Sequence, residues 1–593
     1  MAAERGHSEV VELLLRKAGI EVNQVNINGE TPLYIAAREG CEKVVDLLLG
    51  EENIAVNEPD RDGATALHEA ARNGHDKVVQ LLLSRDETEV NRTEYDGTTS
   101  LATAAQEGHE GVVELLLGEE DIQVNRADDI GCTPLYKAAL NGHVKVVELL
   151  LAEGTIEVNQ PKKYGTTPLH IAAQEGYEKV VELLAREESI EVNREADDGS
   201  TPLYFAARDG HVKVVKLLLA EDETDVNHSK DDGTTPLAIA ALGGHERVVE
   251  LLLAKEDILV NEADNDGNSP LTLATEHGHS KVVELLLAEQ GIDVNQENNR
   301  GETPLSIVAQ KGHERVVKLL LENKNVEVNR PDEYGVTPLN LAAAHGHVKV
   351  VELLLAEDGI DVNRPDDDDM TPLSIAAQEG HETVMELLLA KDNIEVNCTN
   401  EDGATPLICA AERGYAKVVE LLLKMDGIDV NRACSEGCSP LYNAAAANHD
   451  NIVGALLTHR DINVNQQHVT GATPLHIAVE RGHRSVVDML LRRDDIKVNK
   501  ATWCTALEMG QGKVAALLRE RLTRASSGSE ICIVCMDQIP DVVVGPCGHE
   551  NMCGPCAYQW NEELKGCPVD RFPISKIFPL QSKYDPRGCQ QTK

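Results

Sequence analysis

The sequence predicts a mainly α-helical chain: a repeat solenoid of about fourteen full copies with partial copies at its ends, then a small cysteine-rich domain. Three observations support this. A Thr/Ser-Pro-Leu triplet, or a near copy, begins at Thr31, Thr65, Thr99, Thr133, Thr167, Thr201, Thr235, Ser269, Thr303, Thr337, Thr371, Thr405, Ser439 and Thr473, always 34 residues apart. After each triplet come small residues, a Gly-His pair or its equivalent, and an apolar run such as VVELLL at helical spacing. Beyond residue 530 the period stops and cysteines cluster in close pairs.

Each part of the 34-residue unit has a physical reading. The Thr or Ser hydroxyl caps a helix, and Pro fits the first turn, where its missing N–H costs nothing. The Leu-Ala-Ala helix is small enough for neighbouring copies to approach closely. Gly-His, as in Gly380-His381, ends it with a residue that accepts positive φ. The VVELLL helix supplies the larger apolar stripe. A segment ending in Val-Asn leads to an Asp-Gly turn, expected to project as a hairpin before the next Thr. In one full copy Asp369 replaces the turn glycine, and Asp tolerates positive φ better than most residues.

Stretches such as TPLHIAAQEGY at Thr167 and TPLYFAARDGH at Thr201 resemble ankyrin repeats, over roughly residues 1–518. The usual ankyrin period is 33, so each copy here carries one extra residue, placed between the second helix and the Ile-x-Val-Asn segment. The ends are irregular. Residues 2–7, AAERGH, match the middle of a copy, so either another segment shields that end or the reading frame is incomplete. The last copy, from Thr505, is shortened before KVAALL.

Composition narrows the function. Of 593 residues, 42% are apolar but only 3% aromatic, so the core must be aliphatic. Lys and Arg total 55 against 101 Asp and Glu, a net charge of −46. Such a surface argues against nucleic acid and anionic membranes and favours protein partners. No apolar run suggests a membrane span, and the N-terminus has no hydrophobic signal core. A cytoplasmic location is expected, with the nucleus open to it, and the cysteines read as thiols or metal ligands.

No Ser/His/Asp set, phosphate loop or dinucleotide fingerprint appears. Twelve of the 21 His occupy the Gly-His position, among them His75, His143, His211 and His381, and read as hydrogen-bonding ties between copies. His68, His170 and His476, which follow the triplet, read the same way. Cys41, Cys132, Cys398, Cys409, Cys434, Cys438 and Cys504 lack a complete ligand spacing and read as ordinary thiols. Repeat arrays of this class bind through hairpin tips and exposed first-helix residues lining a concave surface. Tyr34, Tyr136, Tyr204 and Tyr442 after the triplet, and Tyr95, Tyr164 and Tyr334 in the turns, are either interface anchors or fillers between copies. The acidic turns Asp197-Asp198, Asp231-Asp232 and Asp366 to Asp369 read as solvated surface.

After a linker at 519–530, residues 531–580 carry eight candidate ligands: Cys532, Cys535, Cys547, His549, Cys553, Cys556, Cys567 and Asp570. Two-residue separations within a Cys pair let both sulfurs reach one tetrahedral zinc. So small a module needs metal to supply much of its folding free energy. Residues 581–593 form a tail. The spacing and the Pro-Cys-Gly-His stretch resemble a RING finger, close to those of inhibitor-of-apoptosis and Cbl ubiquitin ligases. The resemblance implies two zinc ions in a cross-brace. Cys532, Cys535, Cys553 and Cys556 would hold one, and Cys547, His549, Cys567 and Asp570 the other. Asp570 stands where most RINGs have Cys, and the RING subunit of cullin ligases is similar in using Asp there.

By the same resemblance, Val534, Trp560 and Pro568 form a groove for an E2 ubiquitin-conjugating enzyme. Arg571 then holds E2-bound ubiquitin in a reactive conformation. The function implied is a RING-type E3 ubiquitin ligase that acts without covalent catalysis, with E2, ubiquitin and a protein substrate on the ankyrin array as partners. Phe572 and Phe578 in the segment after the last ligand fit either cover for the RING's own core or a RING homodimer. The alternative function is a non-catalytic ankyrin scaffold with a structural or dimerising RING.

Overall fold

A computed structural model describes residues 1–498, 502, 505–506 and 512–525. Among the described residues there is no β-strand. The turns contain an isolated bridge between Thr93 and Thr99, and no helix is long and apolar enough to cross a membrane. The chain groups into two compact units, one of Met1–Val308 with Lys318–Val326, the other of Ala309–Val317 with the described residues from Glu327 onward.

In the first unit the copy at Thr133 shows how the 34 residues fold. Thr133 is extended (φ −76°, ψ 164°), and its hydroxyl accepts the N–H of Tyr136 at 3.1 Å. Pro134 opens the helix Pro134–Leu140, Gly142 turns the chain at φ 71°, and His143 leads into Val144–Leu151. First helices stack on first helices and second on second along the unit. Leu135, Ala138, Ala139, Val146, Val147 and Leu150 are wholly buried, giving the aliphatic core that the shortage of aromatics demanded. Each buried Val or Leu contributes about 1.5–3 kcal/mol. The alanines let the backbones approach.

The second unit repeats this plan. Thr405 accepts from the N–H of Ile408 at 3.3 Å, the helix Pro406–Arg413 follows, and Gly414 at φ 92° leads to Ala416–Leu422. Asp369 adopts φ 58°, the left-handed conformation expected where it replaces Gly. The helix Gly512–Ala525 follows the last full copy and runs past residue 518 into the segment read as a linker.

Two side-chain ladders join consecutive copies. The first is the histidine ladder. In the first unit Nε2 of His75, His143 and His211 lies 2.9, 2.9 and 2.8 Å from the carbonyls of Arg38, Gln106 and Gln174. In the second unit His381 and His449 reach Ala344 and Glu412 at 2.9 and 3.0 Å. The second ladder uses the asparagine of each Val-Asn. Asn125 donates to the Thr155 carbonyl at 2.7 Å and accepts from the Glu157 N–H at 2.9 Å. Asn329 bridges Gly359 and Asp361 likewise, at 2.8 and 2.9 Å. The periodicity marked these asparagines, but their bridging role came to light only in three dimensions.

Candidate functional site

The turn before each Thr or Ser is closed by the backbone of its first residue, as in Glu94 N–H to the Thr98 carbonyl at 2.9 Å, and where that residue is Asp its side chain adds to this. Asp128 Oδ1 accepts the N–H groups of Ile130 and Cys132, and Asp332 does the same for Tyr334 and Val336. The two residues before the turn glycine are left at the tip. Three consecutive turns of the first unit expose large apolar side chains there: Tyr95 at 73%, Ile130 at 55% and Tyr164 at 69%. Lys163 lies 5.9 Å from the centre of the Tyr164 ring, a cation–π contact. The next two tips are acidic and exposed: Asp197-Asp198 and Asp231-Asp232, with Lys230 held 3.7 and 3.2 Å from Asp198 and Asp232. The first unit thus presents an apolar tip row that gives way to an acidic one. In the second unit Tyr334 is exposed and Asp367, Asp368 and Asp369 lie at the surface.

The tyrosines that follow the triplet do not share this exposure. Tyr34, Tyr136 and Tyr204 are buried and Tyr442 is half-buried, so they fill space between copies. Their place on the first helix faces the next copy, which helical spacing alone does not reveal. Tyr34 also donates to Asp60 Oδ2 at 2.8 Å, and burial followed by that bond raises its hydroxyl well above the ordinary value.

The buried polar groups are structural. In the first unit His170 closes a capping box. Its Nδ1 meets the Thr167 N–H at 3.1 Å, and its Nε2 reaches the Ser200 carbonyl of the next copy at 3.1 Å. Burial lowers His170 and His68 to about 4, so both are neutral at physiological pH. Lys137 and Asp128 form an ion pair at 3.1 Å, both less than a tenth exposed, and Lys137 also donates to Thr98 at 3.2 Å. Nothing in the linear pattern signals this pair, because Lys137 takes a position that is apolar in most copies but also Glu69, Thr103 or Asn443 in others.

The candidate metal ligands Cys532, Cys535, Cys547, His549, Cys553, Cys556, Cys567 and Asp570 lie outside the described residues, as do Val534, Trp560, Pro568 and Arg571. What the array can do chemically is bind: its described cysteines are free thiols, and histidines of its Gly-His positions such as His143 and His381 are tied to backbone carbonyls.

Comparison with known proteins agrees with this division. Overlapping segments from 1–94 to 427–502 match ankyrin repeats (3 copies), and residues 528–577 match the zinc finger of C3HC4 type, the RING finger. The chain is 35% identical over 60 residues to the "Probable E3 ubiquitin-protein ligase LUL4" of Arabidopsis thaliana, and 32% identical over 56 residues to the "E3 ubiquitin-protein ligase NEURL3" of Mus musculus. These matches cover 10% and 9% of this chain and span only 16% and 22% of those proteins. The ankyrin repeat domain of Bcl-3 aligns over 38% of this chain and all of its own length, with 27% identity and a TM-score of 0.34. The chain belongs to the ankyrin-repeat proteins and carries a C-terminal RING-type zinc finger.

Proposed function

We propose that the chain is a RING-type E3 ubiquitin ligase whose ankyrin array holds the protein to be modified. The observation that carries this reading is the RING match at residues 528–577, together with similarity to two E3 ligases. The donor set suits zinc: six thiols, one imidazole and one carboxylate, all zinc ligands. Cys532, Cys535, Cys553 and Cys556 hold one ion, and Cys547, His549, Cys567 and Asp570 the second. The ions are structural and fix the two loops that frame the E2 groove.

In this mechanism Val534, Trp560 and Pro568 dock the E2. Arg571 restrains the E2–ubiquitin thioester, so that the substrate lysine meets it in a productive geometry. The gain comes from positioning and effective concentration. Every cysteine within residues 531–580 is a zinc ligand on this reading, so the module contributes no nucleophile. The exposed Tyr95, Ile130 and Tyr164 are the array's anchors for a partner, and the acidic tips beside them favour a basic flank on it. The composition suits a cytoplasmic setting.

The test is a reconstituted reaction of E1, a panel of E2 enzymes, ubiquitin and the full chain. Discharge of E2-bound ubiquitin to lysine that depends on the chain is expected with at least one E2. Absence of discharge with every E2 would leave a scaffold. Replacing Tyr95 and Tyr164 together by Ser should deplete the proteins recovered with the chain and leave discharge to free lysine unchanged.

A further inference from the structure

Cys434 and Cys438 have no ligand spacing along the chain, yet the fold brings a histidine to them from the next copy. They bracket the turn Cys434-Ser435-Glu436-Gly437-Cys438, in which the Cys434 N–H donates to the Cys438 carbonyl at 3.1 Å and the Gly437 N–H to the Cys434 carbonyl at 2.8 Å. His468 holds the position of Cys434 one period later. The two turns stack, with the Val469 N–H donating to the Glu436 carbonyl at 3.2 Å. Gly437 permits this approach: a Cβ there would stand 2.9 Å from Val469 N and 3.2 Å from His468 Cα.

In consequence a carboxylate oxygen of Glu436, Sγ of Cys438 and a ring nitrogen of His468 lie within 4.8 Å of one another. Burial, and then the neighbouring Cys434 thiol, push the Cys438 thiol up. Other turns carry Asp or Asn where Cys434 stands, such as Asp366 and Asn400, whose Oδ1 accepts turn N–H groups. Cys434 does not take over that duty. The His468 ring is held on two sides. Tyr442 stacks on it at 5.1 Å and 10°, and the Thr470 hydroxyl and N–H lie 2.9 and 3.2 Å from Nδ1. Nε2 is the nitrogen left for a ligand.

We propose that Cys434, Cys438, His468 and Glu436 form a zinc site that clamps two successive turns of the array. Two sulfurs, one imidazole and one carboxylate make a four-donor set for a tetrahedral borderline cation. On binding, each thiol loses its proton to solvent as its sulfur takes the metal. Binding through Nε2 moves the imidazole proton to Nδ1, where the Thr470 hydroxyl accepts it and the bond from the Thr470 N–H is given up. The exposed Glu436 is the labile ligand, so the site exchanges its ion more readily than a four-sulfur site. The site is independent of the RING and of the ligase reading.

The test compares zinc per full-length chain, purified under reducing conditions, for the wild type, Cys438→Ser, His468→Ala and the control Cys41→Ser. Cys438→Ser and His468→Ala should each lose about one zinc relative to the wild type, and Cys41→Ser none. This difference holds whatever the RING itself binds. As a second measurement, chelation should speed alkylation of Cys434 and Cys438 in the wild type, while leaving Cys41 unchanged. Equal zinc in all four chains overturns the site, as does a Cys434–Cys438 disulfide in place of the ion.

Discussion

Gly108 carries two burdens that a single substitution exposes. It ends the helix Ser100–Glu107 at φ 78° and ψ 28°, a conformation that costs an L-residue about 1–2 kcal/mol. A Cβ there would also stand 2.5 Å from Nδ1 of His143 and 2.6 Å from its Cε1, a separation no real contact allows. The ring cannot yield freely, because its Nε2 is held 2.9 Å from the Gln106 carbonyl. Moving it breaks that hydrogen bond, worth about 1 kcal/mol. Gly108→Ala should therefore cost about 2–3 kcal/mol, summing the strain and the lost bond. Two other glycines of the same unit separate the causes. Gly291 has φ 83° and nothing within 4 Å, so Gly291→Ala should cost the strain alone. Gly154 has neither a positive φ nor a neighbour within 4 Å, so Gly154→Ala should fall within about 0.5 kcal/mol of the wild type. Repeat arrays unfold by nearest-neighbour interfaces, so amide hydrogen exchange over Val144–Leu151 is the assay of choice, with urea unfolding beside it. If Gly108→Ala were no worse than Gly291→Ala, the histidine contact would have no energetic weight. A His143→Ala background should likewise shrink the cost of Gly108→Ala.

Further outcomes follow from the same contacts. His170 is lowered from its ordinary 6.5 to about 4, so the unfolded chain binds its proton first as pH falls; the stability it supplies is complete above pH 6.5 and is lost toward pH 4, about 3 kcal/mol in all. The difference in unfolding free energy between wild type and His170→Gln, followed by denaturant titration across that window, should narrow by this amount on acidification. Asn125→Ala removes two bonds between copies and should cost about 1–2 kcal/mol in the same assay. Arg571→Ala should leave E2 binding nearly intact but sharply reduce single-turnover discharge of E2-bound ubiquitin, whereas Trp560→Ala should weaken E2 binding by about 1–3 kcal/mol in a direct titration. Tyr95→Asp at a tip should change stability by less than about 0.5 kcal/mol while altering which proteins co-purify.

The repeat was legible because fourteen in-phase copies fix the caps, the proline and the glycine positions, each with a local physical cause. Even Asp369 could be assigned its left-handed backbone from its place in the period. What depends on the neighbouring copy was harder to read. Tyr136 and Tyr164 look alike in the sequence, yet one is covered by the next copy and the other stands at a tip. Asn125 acts on residues 30 and 32 positions later, and Cys438 comes close to His468 of the next copy. Local spacing sees a ligand pair such as Cys532 and Cys535 but not one assembled across copies. The RING was read from spacing and resemblance, and its residue roles are proposals.

The way the tips are joined leaves their side chains free to vary without loss of the fold. In the first unit the Tyr95 N–H donates to the Asp62 carbonyl at 2.9 Å, Asp129 to Asp96 at 2.8 Å, Lys163 to Ile130 at 2.8 Å and Asp197 to Tyr164 at 3.1 Å. Each link uses backbone alone. Tyr, Asp and Lys therefore occupy the same position with the same bond, and their side chains are left to solvent or to a partner. The histidine and asparagine ladders, by contrast, use side chains, and those positions hardly change from copy to copy. On the proposed reading, recognition falls on tip side chains that the links between turns do not use, so a chain this repetitive can still present a distinct surface at each turn.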